Sequence, residues 1–149
     1  MLSKKLKPIF IKKENLIRVG PKRDGGYVID KRIINKIDHL ITCGLNDDWS
    51  FENQFLKLNS KPLLNAYDHT VNSFFWKKKF SKDILDFFLL KKLSFYKIIN
   101  IFKYIEYLFF FRGPKKHHKL KVSKKNIDNK EISIDNILKN KKIFFLKSI

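Results

Sequence analysis

The chain is poor in the residues that announce several protein classes. Cysteine occurs once, as Cys43, which removes a disulfide framework, a Cys-x-x-Cys pair and a thiolate metal site, and suits a reducing cytoplasm. No apolar run reaches the roughly 18 residues that a spanning helix needs. The basic start MLSKKLKPIFIKKENL lacks a sustained apolar core and a small-residue cleavage site, so it is a poor secretory signal. There is no internal repeat, no His-Glu-x-x-His and no Ser, His, Asp order, which argues against a zinc protease and a nucleophilic hydrolase.

Acid is scarce as well. Lys and Arg number 33 against 14 Asp and Glu, a formal charge of +19 with a pI near 10.0. Such an excess attracts phosphates or an anionic membrane surface. The lysines are nevertheless scattered among Asn, Ile and Phe, as in a compositionally biased, A/T-rich coding sequence, and nothing in the pattern asks for a specific nucleic acid. With 44% apolar residues in 149, one globular domain is expected.

Four segments are read along the chain. Residues 1–35 form a leading cap, in which Asp24-Gly25-Gly26 between β-formers signals a turn in a hairpin. Residues 36–72 hold a short apolar run, His39 to Cys43, a glycine bend at Gly44, a helix between Asp47 and Leu58, and a second short strand, Leu63 to Tyr67. Residues 73–112 are crowded with Phe, Leu, Ile and Tyr interrupted by Lys, which suits one or two amphipathic helices. Residues 113–149 read as a basic loop, Lys115 to Lys130, then a short segment from Ile132 to Leu138 and a final buried strand, Ile143 to Lys147.

Two strand-to-loop junctions carry the chemistry. In doubly wound α/β folds ligands sit at the carboxyl ends of the strands. Gly44 stands where backbone must approach a ligand closely, ahead of a helix whose amides are partly positive and which Asp47 or Asp48 is placed to cap. Asp68 follows about twenty residues later, the spacing at which nucleotide-binding half-folds keep an acid for ribose hydroxyls. Cap and turn roles for Asp47, Asp48 and Asp68 remain open on spacing alone.

The runs Leu16 to Val28, Leu40 to Glu52 and Ala66 to Val71 resemble the N-terminal part of FkbM-like methyltransferases. That pattern is an Arg-x-Gly and Asp-Gly-Gly-Tyr opening, a glycine loop leading to Phe-Glu on the first helix, and an Asp-x-Thr at the end of the second strand. The resemblance covers about the first 70 residues and implies a site for S-adenosylmethionine. Gly44 would meet the methionine moiety and Asp68 the ribose, with Glu52 and Asp47 or Asp48 facing the cationic end. Asp24, Gly25, Gly26 and Tyr27 would form a cap beside the pocket, or else a plain turn and a core aromatic.

The resemblance further implies an α/β fold with a truncated Rossmann-like parallel sheet, flanking helices and an inserted aromatic-rich helical segment. The last strand looks like the one that runs into Asp-x-Glu-Gly, yet the chain stops there. A truncated enzyme of uncertain independent activity is therefore expected, passing a methyl group to an oxygen of an unidentified small molecule or glycan, with no assignable catalytic base. His117 and His118 lack carboxylate or thiolate partners nearby and read as a solvated loop, not a metal site. Trp49 and Trp76 read as core residues instead of base-stacking platforms. Two alternatives from other classes stand beside the enzyme: a membrane-surface or interaction module that lays the helices from Phe80 to Phe111 on a bilayer, and a non-specific nucleic-acid binder.

Overall fold

A computed structural model describes residues 10–22, 26–88, 96–124, 128–139 and 144–148. Strands β1 (Leu16–Val19) and β2 (Tyr27–Asp30) form an antiparallel hairpin. The short helix α1 (Lys31–Ile34) follows at once, capped by the Asp30 carboxylate, which accepts from the Arg32 amide.

The centre of the molecule is a four-stranded sheet with all neighbours parallel. β3 (His39–Cys43) and β4 (Leu63–Tyr67) pair from His39↔Leu63 to Cys43↔Tyr67, as the apolar runs predicted. β5 (Lys115–His118) flanks β4, and β8 (Phe144–Ser148) flanks β3, with His39 opposite Phe144. The fold is thus α/β with a parallel sheet between helices.

Both faces are covered, as parallel sheets require, and the period of two divides the strand residues between them. Leu40, Leu64, Ala66 and Phe145 pack with α2 (Ser50–Leu58), α3 (Ser73–Phe88) and α4 (Tyr96–Phe110). Ile41 and Tyr67 point the other way, onto Ile137 of α5 (Ile134–Leu138) and the small parallel pair β6 (Lys121–Ser123) and β7 (Glu131–Ser133).

Phe51 and Phe55, one turn apart on α2, are fully buried and contact the Phe145 ring at 6.0 and 5.6 Å between centroids. Asn59 ends that helix, its amide donating to the carbonyls of Ile34 and Ile37. Asn72 starts α3 by accepting from the Phe74 and Phe75 amides. Trp76 then packs at 5.0 Å on Tyr104 and 5.3 Å on Tyr107, while Trp49 meets Tyr107 and Phe110. Both tryptophans are core residues, as expected, and residues 73–112 supply two helices.

The stretch from Lys115 to Lys130 corrects the sequence reading. It begins with a sheet strand, continues into β6 and is not simply a basic loop. Lys115, Lys116, His117 and His118 carry too little apolar signal to be seen as a strand. Backbone pairing with β4, which supplies ladder partners irrespective of side chain, overrides it.

In the hairpin, Arg18 donates through its guanidinium to the carbonyls of Pro21 and Lys22, which holds it close to Gly26. A Cβ on Gly26 would lie 2.0 Å from the Pro21 oxygen and 2.8 Å from an Arg18 nitrogen. Gly26→Ala is therefore expected to lower stability by about 1 to 3 kcal/mol, the usual cost of forced overpacking. Urea unfolding of the two proteins checks this, and an unchanged midpoint would contradict it.

Candidate functional site

β3 and β4 end level with one another, and the chain leaving each tip folds onto its neighbour. Gly44 adopts φ 84°, which an L side chain resists, and its amide donates to the Tyr67 carbonyl at 2.9 Å. Asn46, at φ 51°, is a second left-handed residue two positions on. The resulting curl aims the amides of Leu45 and Asn46 at Asp68 Oδ2, at 2.7 and 2.9 Å. The other oxygen, Oδ1, accepts from the Thr70 amide at 2.8 Å and the Thr70 hydroxyl at 2.6 Å. Burial raises the Asp68 carboxyl, but the Thr70 hydroxyl and the amides of Asn46, Leu45 and Thr70 outweigh it and hold the pKa at about 2.

Against this junction lies an open cleft of about 580 Å³. Cys43, Gly44, Tyr67 and Asp68 line it from the strand tips, with His69 and Thr70 beside them. Leu120, Val122, Ile134 and Leu146 supply an apolar wall. The Cys43 thiol is pushed up by burial, so it is poorly suited to act as a nucleophile.

The β4 tip is also held from behind. The Asp68 amide donates to the His118 carbonyl at 3.0 Å, and the Asp68 carbonyl lies 3.0 Å from His117 Nε2. A carbonyl only accepts, so Nε2 carries the proton and Nδ1 accepts from the Tyr107 hydroxyl at 2.6 Å. Burial lowers the His117 pKa and pushes that of Tyr107 up to about 12, which keeps both neutral. His118 stacks on Tyr67 at 4.6 Å and places Nε2 2.9 Å from Asn65 Oδ1. The two histidines are therefore partly buried members of the sheet, not a solvated loop. Among the described residues no group of three or more His, Cys, Asp or Glu could hold a metal ion.

Of the described residues expected at the site, Gly44 and Asp68 come together, while Gly26, Tyr27, Asp47, Asp48 and Glu52 line no part of this cleft. Asp47 forms ion pairs with Lys79 of α3 and Lys103 of α4 and borders a separate polar cleft of about 230 Å³. Burial raises its pKa, but those two lysines win and lower it overall. Asp48 lines the same second cleft and accepts from the amide and hydroxyl of Ser50, the first residue of α2. Tyr27 packs edge-on against Phe51 at 5.4 Å, in the core role, and Gly26 serves the hairpin turn. Asp24 and Gly25 lie outside the described residues.

Glu52 faces a cation, though one from its own chain. Its side chain is 0% exposed and Lys147 of β8 is 2% exposed, with Nζ 3.1 Å from Oε1. The ammonium also lies 5.1 Å from the centre of the Phe51 ring. Burial pushes the Glu52 carboxyl up and Lys147 works against that shift. The pair spans 95 residues, so spacing along the chain gives no hint of it.

Removing one partner leaves the other charge buried and unpaired. Lys147→Met alone should cost about 3 to 5 kcal/mol, and Glu52→Leu with Lys147→Met should recover most of it. Equilibrium unfolding of the single and double variants reads the difference; equal stabilities would show that the pair is not buried in solution. Because the folded pKa of Asp68 is depressed, its stabilisation is complete above the unfolded value of 3.8 and fades as pH falls towards about 2. Relative to Asp68→Asn, the wild type should lose about 1 to 2 kcal/mol across that window, followed by urea titrations at stepped pH.

No protein-family model, curated protein or solved structure matches this chain, so its own residues and geometry carry the reading of the site.

Proposed function

We propose that the cleft at the tips of β3 and β4 binds S-adenosylmethionine and that the protein is a methyltransferase of the FkbM-like kind. The observation that carries this reading is the placement of a left-handed glycine bend and an ionised carboxylate side by side, at the carboxyl ends of adjacent parallel strands. That edge is where α/β sheets receive nucleoside-bearing ligands. The cleft volume of about 580 Å³ falls within the span of small-molecule sites, and its apolar wall offers a place for an adenine ring.

In this reading Asp68 takes the ribose hydroxyls. Its four acceptor positions are already in use, and three of the donors are backbone amides fixed by the bend and the turn. The Thr70 hydroxyl is the one donor that can rotate away and leave a lone pair for the sugar. Gly44 admits the methionine moiety close to the backbone. Asp47, Asp48 and Glu52 drop out of the ligand set, since each is committed to partners away from the cleft.

S-adenosylmethionine supplies an electrophilic methyl group to an oxygen or similar nucleophile. The chain's contribution is to orient donor and acceptor in line and to exclude water. A cytoplasmic setting belongs to the proposal, since the thiol of Cys43 is unpaired.

Isothermal titration calorimetry with S-adenosylmethionine tests the proposal. Wild-type protein should give saturable heat, and Asp68→Ala, checked for folding by circular dichroism, should bind at least about tenfold more weakly, the ratio that 1.4 kcal/mol produces. Absence of heat from folded wild-type protein would sink the reading. Binding of other nucleosides with equal affinity would keep the site and remove the methyl donor.

A further inference from the structure

Helix α4 is apolar around most of its circumference. Tyr107 and Phe110 point into the core, against Trp49. Phe102, Ile105, Leu108 and Phe109 point outward and are 64%, 43%, 44% and 61% exposed. At 3.6 residues per turn these four fall within an arc of about 120°, so they form one stripe. A helix that is hydrophobic around most of its girth is normally covered on more than one side. Among the described residues, the side that carries these four is exposed.

Helix α3 repeats the arrangement with cations added. Phe74, Ile84 and Leu85 are exposed at 71%, 52% and 60%, on the face that also carries Lys77, Lys78 and Lys82. At the end of α4, the exposed Arg112 guanidinium lies 4.2 Å over the Phe109 ring. Between residues 73 and 112 nine Lys or Arg stand against three Asp or Glu.

From this combination we propose that the outer faces of α3 and α4 dock on an anionic lipid bilayer, lying in its interface. The charge argument selects the occupant. Exposed aromatic and aliphatic side chains need an apolar medium, and the lysines beside them need anions at its border; a bilayer with acidic headgroups offers both within one Lys side chain's length. A nucleic acid would satisfy the cations and leave Phe102, Ile105 and Phe109 in water. No helix among the described residues is long and apolar enough to cross a membrane, so the mode is lateral docking. The surface contains neither Gly44 nor Asp68, and the inference holds whether or not the cofactor reading does.

The test is co-sedimentation of the full chain with vesicles of phosphatidylcholine, and of phosphatidylcholine mixed with phosphatidylglycerol. Binding to the mixed vesicles and little to the neutral ones is expected, weakening as salt is raised. Phe102→Ser with Phe109→Ser should reduce the partition coefficient at least about tenfold, since burying one Phe is worth that much by itself. Both side chains are exposed, and circular dichroism confirms that the variant folds. Lys77→Gln, Lys78→Gln and Lys82→Gln together should lower binding to the mixed vesicles while leaving the weak neutral binding unchanged.

Three results would overturn the proposal: no binding to mixed vesicles, a phenylalanine variant that binds as the wild type does, or sedimentation velocity showing dimers that the phenylalanine variant abolishes. The last would assign the stripe to a second copy of the chain. Calorimetry with S-adenosylmethionine on the same variants should be unaltered, which separates failure here from failure of the cofactor site.

Discussion

A buried carboxylate that stays ionised must be surrounded by donors, and around Asp68 those donors are the loops that make the site. Its side chain gathers the amides of Leu45, Asn46 and Thr70 and one hydroxyl. Its backbone joins His117 and His118 of β5. Charge-assisted hydrogen bonds are each worth about 1.5 to 3 kcal/mol, and losing the acceptor leaves the amides of the bend without a partner. The shape of the bend after β3 is therefore set by a group at the end of β4. The same residue offers the cleft its negative charge, so fold and proposed chemistry rest on one side chain.

The excess of positive charge is less free than the total of +19 suggests. Lys147 is inside the protein against Glu52, while Lys79 and Lys103 converge on Asp47 and tie the helical pair to the loop before α2. These cations answer scarce acids at structural positions. Lys77, Lys78 and Lys82 of α3 are of another kind, since they are exposed on a face shared with Phe74, Ile84 and Leu85. Net charge alone does not separate the two groups; burial does.

The two faces of the sheet are specialised. Aromatic residues from α2, α3 and α4 fill one side, with Phe51, Phe55, Trp49 and Trp76 at its centre. The other side is built by α5, β6 and β7, and Val122, Ile134 and Leu120, just before β6, become the wall of the cleft. Among the described residues, the aromatic helices thus contribute no lining to the cleft beside Asp68. Their exposed outer stripe includes none of the residues that line that cleft.

Local pattern was sufficient for β3 and β4, because short apolar runs ended by Gly or Asp leave few alternatives to buried strands, and it located β8, which flanks β3 with Leu146 exposed. It was sufficient also for the hairpin, the helical character of the stretch after Ser73, whose division in two only the structure gives, and the pairing of a glycine bend with an acid at neighbouring tips. It was silent on β5, where Lys115 to His118 takes its ladder from β4, and on the His117 and Tyr107 contact that steadies that ladder. The role of Glu52 shows why. The resemblance implied that Glu52 faces the cationic end of a ligand, but only the folded chain could reveal Lys147, since a charge buried 95 residues away is brought near by sheet order and not by sequence spacing. Sequence determined which segments bury themselves; tertiary structure decided which polar groups meet, because desolvation makes each buried charge depend on whatever the packing places beside it.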